Sequence, residues 1–281
     1  MNSSSYGTRT LFHSNLSFPF SRSFATQSTK AAQEIKYEKK GNIFYILFDR
    51  PHKKNAMTVE MYEGLAEATQ KASQDKDTIL TVFKGIGGSF SSGNDFGPDN
   101  FEKFRKNPTN WKPFIDELIK HEKPVIALVD GAAIGIGCTM LGLCDHVVAS
   151  DVSFFLTPFS MFGLCAEGMS SATFPRIMGP TKASRLLMFN ETFSAEEAYT
   201  AGLVSTLVPA QKFEETTKKL LTAYSTYSYQ SMLTTKRLVR PKELIQQWHE
   251  VNAKEAKHIE EQMKSDDTIR RLSERFLKKA K

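Results

Sequence analysis

The stretch Lys123–Gly137 reads KPVIALVDGAAIGIG. Its first half, Pro124–Val129, is a continuous apolar run, the pattern of a strand covered on both faces. Its second half, from Asp130, is a glycine-rich turn through Gly131, Gly135 and Gly137, with a helix expected to follow. A strand buried on both faces needs helices on either side of its sheet, so this stretch predicts an α/β core.

The flanking sequence extends that pattern. Ile43–Phe48 is rich in β-formers and ends at Asp49-Arg50-Pro51, which predicts a strand. Met61, Leu65, Ala68 and Ala72 recur at helical spacing, with Thr58 placed as N-cap. Ile79–Phe83 reads as a second strand, followed by a loop from Gly85 to Asp95. Residues 98–121 are expected to form a helix. His146–Ala149 and Val152–Phe155 read as short strands, and residues 170–178 and 181–188 as helices. Ser194-Ala195-Glu196-Glu197 is a capping box whose helix closes at Gly202, and Leu203–Val208 is a further strand. From Lys212 the pattern is helical to the end. No internal repeat or flexible linker is found.

The 281 residues are 40% hydrophobic and 24% charged, the balance of an ordinary globular protein. A net charge of +6 suits an anionic ligand better than a cationic one. The basic residues are scattered, apart from Arg270, Arg271, Arg275, Lys278, Lys279 and Lys281, which read as the solvated face of a C-terminal helix. No nucleic-acid partner is expected. Cys138, Cys144 and Cys165 are an odd count without CxxC or Cys/His spacing, which points away from a disulfide framework and from a metal site. No run of eighteen apolar residues is present, so no membrane span is expected.

The N-terminus differs in kind. Residues 1–33 hold no Asp or Glu, and eight serines fall between Ser3 and Ser28, beside Arg9, Arg22 and Lys30. An Arg-containing, Ser-rich, acid-free leader is the signature of a mitochondrial transit peptide. The expectation is therefore a transit or disordered segment over residues 1–30, with cleavage after Phe24 and residence in the mitochondrial matrix.

With these elements in place, the order and spacing of several motifs resemble the crotonase (enoyl-CoA hydratase/isomerase) superfamily. They are Arg50-Pro51 with Asn55-Ala56-Met57, then Phe90 through Asp95, then Lys123 through Gly135, and Ala201-Gly202-Leu203-Val204. The resemblance runs from about Ile35 to the C-terminus, and Thr157-Pro158-Phe159 through Gly168 is most similar to the Δ3,Δ2-enoyl-CoA isomerases. It implies a spiral of ββα turns over residues 31–224. A helical region over residues 225–281 would form a trimer interface, giving a homotrimer or a dimer of trimers. Some such relatives carry an extra acyl-CoA-binding domain, for which the chain is expected to have no room.

The resemblance also implies a site. The backbone N–H groups of Asn94 and Ile136 would form an oxyanion hole for a thioester oxygen, with Ser92, Gly93, Asp95 and Phe96 around the substrate. Lys53, Lys54 and Ala56 lie where relatives hold coenzyme A, although plain solvated lysines are an equal reading. Phe96, Trp111 and Phe114 would line an acyl pocket or simply pack the core. Similar hydratases use two glutamates, at positions that here hold Thr139 and Phe159. Glu167 occupies the position of the isomerases' single acid/base. Its apolar neighbours Phe162, Leu164, Cys165, Ala166 and Met169 predict a raised pKa. No metal and no cofactor is expected, coenzyme A being part of the substrate. Asp95 and Asp145 are expected to be structural. The alternatives are another acyl-CoA reaction of the same superfamily, or a non-catalytic acyl-CoA- or RNA-binding homologue.

Overall fold

The structure is a computed structural model, and it describes residues 34–277. The expected transit segment lies outside the described residues, as do Lys278, Lys279 and Lys281. In chain order the elements begin with β1 (Ile35–Lys40), β2 (Ile43–Phe48), α1 (Val59–Gln74), β3 (Leu80–Gly85), α2 (Pro98–Lys106) and α3 (Lys112–Ile119). They continue with β4 (Val125–Val129), β5 (Ala132–Ile134), α4 (Ile136–Thr139), β6 (His146–Ser150), β7 (Phe154–Leu156) and α5 (Ser170–Leu187). The last are β8 (Phe193–Ser194), α6 (Ala195–Ala201), β9 (Thr206–Val208), α7 (Phe213–Tyr224), α8 (Tyr229–Val239), α9 (Lys242–Gln262) and α10 (Asp266–Leu272).

The main sheet has six strands in the order β1-β2-β3-β4-β6-β9. Only the β1/β2 pair is antiparallel; β2 through β9 run parallel. Alternate strand residues point to opposite faces. Val82, Ile126, Leu128, Val148 and Val208 pack with Phe213 and Leu221 of α7. Phe83, Ala127, Val129, Val147 and Ala149 join the larger core with Met61, Leu65, Phe114 and Leu118. Full burial of a side chain such as Leu65 contributes roughly 1.5–3 kcal/mol. β4 is buried at all five positions, as its uninterrupted apolar run predicts. A second sheet, β5-β7-β8, lies beyond the strand ends and carries the turns of the site.

Several elements depart from the sequence reading, each for a local reason. Residues 98–121 form two helices, because Pro108 removes a backbone donor and α3 restarts with Pro113 in its first turn. β9 is shorter than expected, since the N–H groups of Leu203 and Val204 donate to the carbonyl of Ala198 and close α6 instead. The helix expected after Gly137 starts at Ile136, lasts four residues and tightens into a 3-10 turn over Met140–Leu143. The breaks expected elsewhere hold. Gly179, with φ 77°, kinks α5 between Pro175 and Pro180. Ser194 and Glu197 form the reciprocal capping box.

The helical C-terminal region is tied to the sheet by charge. Asp145 accepts from the N–H of Val125 at 2.8 Å and pairs with Lys236 at 2.7 Å and Arg240 at 2.8 Å. Arg270 and Arg271 pair with Asp267 on their own helix, as a solvated face should. Leu233 is buried, Leu244 and Ile245 pack partly against the core, and Leu238 and Val239 stay exposed. No helix among the described residues is long and apolar enough to cross a membrane.

Candidate active site

Two glycine turns meet where β3 and β4 end. Ser91 bridges to Ala133: its N–H donates to Ala132 at 2.9 Å, and its carbonyl accepts from Ile134 at 2.9 Å. Gly93 holds φ +82°, and a Cβ there would lie 2.9 Å from the carbonyl oxygen of Ile134 and 3.6 Å from the Cα of Gly135. Gly135 in turn holds φ +56°. A Cβ on Gly137 would come within 2.8 Å of Ser91. The two turns therefore interlock at distances that only glycine permits.

Among the described residues, the N–H groups of Asn94 and Ile136 beside this contact donate to no partner. Asn94 bridges in parallel to Met57, a pairing made by Met57 N–H to Gly93 O at 2.8 Å and Asp95 N–H to Met57 O at 2.9 Å. The bonds thus run through the residues flanking Asn94, and its own N–H points away from Met57. Ile136 is the first residue of α4, so its N–H has no intrahelical partner. Two adjacent free donors of this kind can hold an oxygen on which negative charge develops.

The loop beneath is held by Asn55, which has φ 55° and no exposed surface. Its side chain accepts from the N–H of Arg50 at 2.8 Å and donates to the carbonyls of Ile86 at 3.0 Å and Ser89 at 2.7 Å. Ser92 leans on the same loop, its N–H donating to Lys54 O at 3.0 Å and its hydroxyl to Lys53 O at 3.3 Å. Lys53 and Lys54 are exposed on that turn, and the carbonyl of buried Ala56 accepts from Arg50. Asp95 is consumed structurally: its carboxylate takes Arg50 at 2.8 Å, the N–H of Gly97 at 3.0 Å and Asn100 at 3.0 Å. Burial pushes that carboxyl up, but the Arg50 hydrogen bond and the Gly97 N–H leave it below the usual range. Phe96 packs on Phe104 and on Phe276 after α10, whereas Trp111 and Phe114 lie wholly within the core.

Glu167 comes to the same place from a different part of the chain. Gly168 holds φ +64°, and a Cβ on it would strike Thr139 Oγ1 at 2.5 Å and the Ile136 side chain at 2.7 Å. The backbone carrying Glu167 thus rests directly on the Ile136 turn. Ser170 fixes it by donating from its hydroxyl to the Glu167 carbonyl at 2.7 Å. The Glu167 side chain is buried, and among the described residues no donor or cation pairs with its carboxylate. Burial, reinforced by the charge of Glu255, pushes its pKa up to about 8. A carboxyl group balanced near neutrality can both take and return a proton. Thr139 and Phe159 are buried too and offer no second carboxylate at those positions.

Two residues of this neighbourhood escaped the sequence reading. Tyr62, beside Met61 on α1 and not among the residues singled out by helical spacing, is fully buried, and its hydroxyl donates to the side-chain oxygen of Asn94. Burial, then the nearby Glu167 charge, holds its pKa well above the ordinary value. The one available signal was that a buried tyrosine hydroxyl requires a partner. Glu255, on α9, accepts from the N–H groups of Met169 at 2.8 Å and Ser171 at 3.0 Å. The sequence carries no sign of that contact, because a glutamate on an amphipathic helix ordinarily faces solvent.

The thiols fit no nucleophilic role. Burial raises Cys138 far above the normal range and pushes Cys144 up to about 12. Cys165 rises to about 11 through burial and the Glu167 charge. Among the described residues no cluster of His, Cys, Asp or Glu has the arrangement of a metal site.

The comparisons with known proteins agree with this geometry. Residues 38–281 match the enoyl-CoA hydratase/isomerase family. The chain is 40% identical over 246 residues to the uncharacterized protein B0272.4 of Caenorhabditis elegans, covering 87% of this chain and 96% of that one. It is 38% identical over 249 residues to enoyl-CoA delta isomerase 2 of Rattus norvegicus, covering 86% of this chain but spanning 63% of the rat protein's length. The crystal structure of an enoyl-CoA hydratase/isomerase from Pseudoalteromonas atlantica T6c superposes with a TM-score of 0.81 at 27% identity, over 88% of this chain and 98% of that one. With its interlocked glycine turns, its parallel sheet and a match over most of its length, the chain belongs to the enoyl-CoA hydratase/isomerase, or crotonase, family.

Proposed function

We propose that the protein is a Δ3,Δ2-enoyl-CoA isomerase, with Glu167 as its single acid/base. The observation that carries this reading is the buried carboxyl of Glu167, unpartnered among the described residues, on a turn that rests against the Ile136 turn, with Thr139 and Phe159 where a hydratase would place its acids. A 3-enoyl-CoA binds with its thioester oxygen between the two N–H groups. The Glu167 carboxylate removes a C2 proton, which is acidified by both the thioester and the 3,4 double bond. The electron pair moves through the dienolate, and its charge gathers on the thioester oxygen. Each aimed N–H donor lowers that barrier by about 3 kcal/mol. Glu167, now protonated, returns the proton to C4 and leaves the trans-2-enoyl-CoA. No atom is gained or lost, and the reaction calls for no cofactor.

Lys53 and Lys54 extend the reading as exposed cations for the phosphates of coenzyme A. Residence in the mitochondrial matrix and assembly as a trimer, or a dimer of trimers, belong to the same proposal. Exposed Leu238 and Val239 on α8 are apolar surface that a subunit contact would cover.

The test is conversion of 3-hexenoyl-CoA to 2-hexenoyl-CoA by the residue 25–281 protein and its Glu167→Gln variant. Turnover by the first and a loss of several orders of magnitude in the second is the expected result. An active variant removes Glu167 from the role. Binding of the thioester without turnover by either protein overturns the isomerase reading.

A further inference from the structure

We propose that Glu255, on α9, is a positioning residue for Glu167: it fixes the turn that carries the base and places a second buried carboxylate beside it. This deepens the isomerase reading and rests on it for the role of Glu167 in turnover; the titration of the two carboxyls does not depend on it.

The backbone after Glu167 runs through two left-handed residues, Gly168 at φ +64° and Met169 at φ +71°. For Met169 that conformation is strained, because its Cβ crowds the neighbouring backbone, so something must hold it there. Glu255 does so with both oxygens. Oε2 accepts from Met169 N–H at 2.8 Å and Oε1 from Ser171 N–H at 3.0 Å. Met169 and Ser171 stand at the start of α5, where backbone N–H groups lack intrahelical partners. Glu255 is 6% exposed, so this is a buried clamp and not a surface contact.

A carboxylate placed here cannot be electrically silent. The titratable groups facing the pair are Tyr62 from α1, Cys165 beside the base, and Glu261 farther along α9, which acts on Cys165. None of these is a cation. Burial raises both carboxyls and leaves both above the ordinary value, but among the described residues only Glu255 has N–H donors that offset part of the rise. Their environments therefore push the two groups apart: Glu255 ionises first, and its charge then opposes ionisation of Glu167. A residue of the C-terminal helical region thus sets the pH at which the base becomes competent.

The experiment is a 13C NMR titration of glutamate-labelled protein, with Glu167→Gln and Glu255→Gln used to assign the two signals. In the wild type, the Glu167 curve is expected to bend at the midpoint of Glu255, as coupled sites must. Glu255→Gln keeps the size and removes the charge, so the Glu167 midpoint should fall by about one pH unit. The acid limb of kcat/KM should move with it. Glu255→Asp keeps the charge and shortens the arm; its Glu167 midpoint should stay high while its Tm drops. An unchanged midpoint in Glu255→Gln overturns the proposal. So does an equal fall in Glu255→Asp, which would assign the effect to shape and not to charge. If Glu255→Gln does not fold, assignment falls to Glu167→Gln and Glu255→Asp, and a single uncoupled Glu167 curve in the wild type overturns it alone. If the wild type shows no isomerisation but the coupling is present, the functional reading fails and the inference about Glu255 stands.

Discussion

The hydroxyl of Tyr62 donates to the side-chain oxygen of Asn94 from a position wholly inside the protein. Asn94 thereby has two anchors. Its backbone is fixed by the bridge to Met57 and its side chain by α1. The same hydroxyl feels the charge of Glu167, so one helix residue connects the Asn94 turn to the proposed base.

Tyr62→Phe should loosen that connection without opening a cavity. Loss of one buried hydrogen bond corresponds to about 1–2 kcal/mol, hence a fall in kcat of roughly 5- to 30-fold. KM should change little, because no substrate contact is removed. Steady-state kinetics on 3-hexenoyl-CoA would check this; a change confined to KM would refute the positioning role.

The pKa of Glu167 makes activity and stability respond to pH in opposite directions. As a base it must be ionised, so kcat/KM should rise about tenfold per pH unit and level off above about pH 8. The folded protein holds its proton where an unfolded chain, with the ordinary value of 4.5, has already lost it. The folded state therefore binds more protons between these values, and stability must fall as pH climbs through that window. Glu167→Gln should remove the Glu167 share of this slope, leaving that of Glu255, and raise Tm relative to wild type above pH 8, while removing activity. Thermal unfolding of both proteins from pH 5 to pH 9 measures it.

Gly93→Ala attacks the contact between the two turns. The new Cβ would lie 2.9 Å from the Ile134 carbonyl, on a backbone with φ +82°. Strain of this kind costs about 1–3 kcal/mol, and relief requires the turns to separate. Both Tm and kcat should drop. Gly88→Ala also has a positive φ, but nothing lies within 4 Å of its Cβ, so it should lose stability alone.

Asn55→Ala removes one acceptor and two donors from a fully buried side chain. Three groups left unpaired should cost several kcal/mol in total, at about 1–3 kcal/mol each. Denaturant unfolding should show that loss. If the residual protein still folds, its KM for the thioester should rise, since Asn55 braces the loop that carries Lys53 and Lys54.

The amino-acid sequence by itself determined most of the elements and the glycine turns of this protein, but not every boundary. The apolar run of β4, the capping box at Ser194 and the glycines at 93 and 135 are local chemistry, and each does what its residues require. The apolar residues around Glu167 likewise announced a raised carboxyl. What only the tertiary structure decided is what surrounds that carboxyl. Tyr62 and Glu255 lie 105 residues before and 88 residues after Glu167, and each sits on an amphipathic helix. Helical periodicity reports that a position faces inward, but not which distant group it meets. Which buried oxygen finds which N–H is fixed by the packing of α1 and α9 around the site, and that packing is a property of the whole fold.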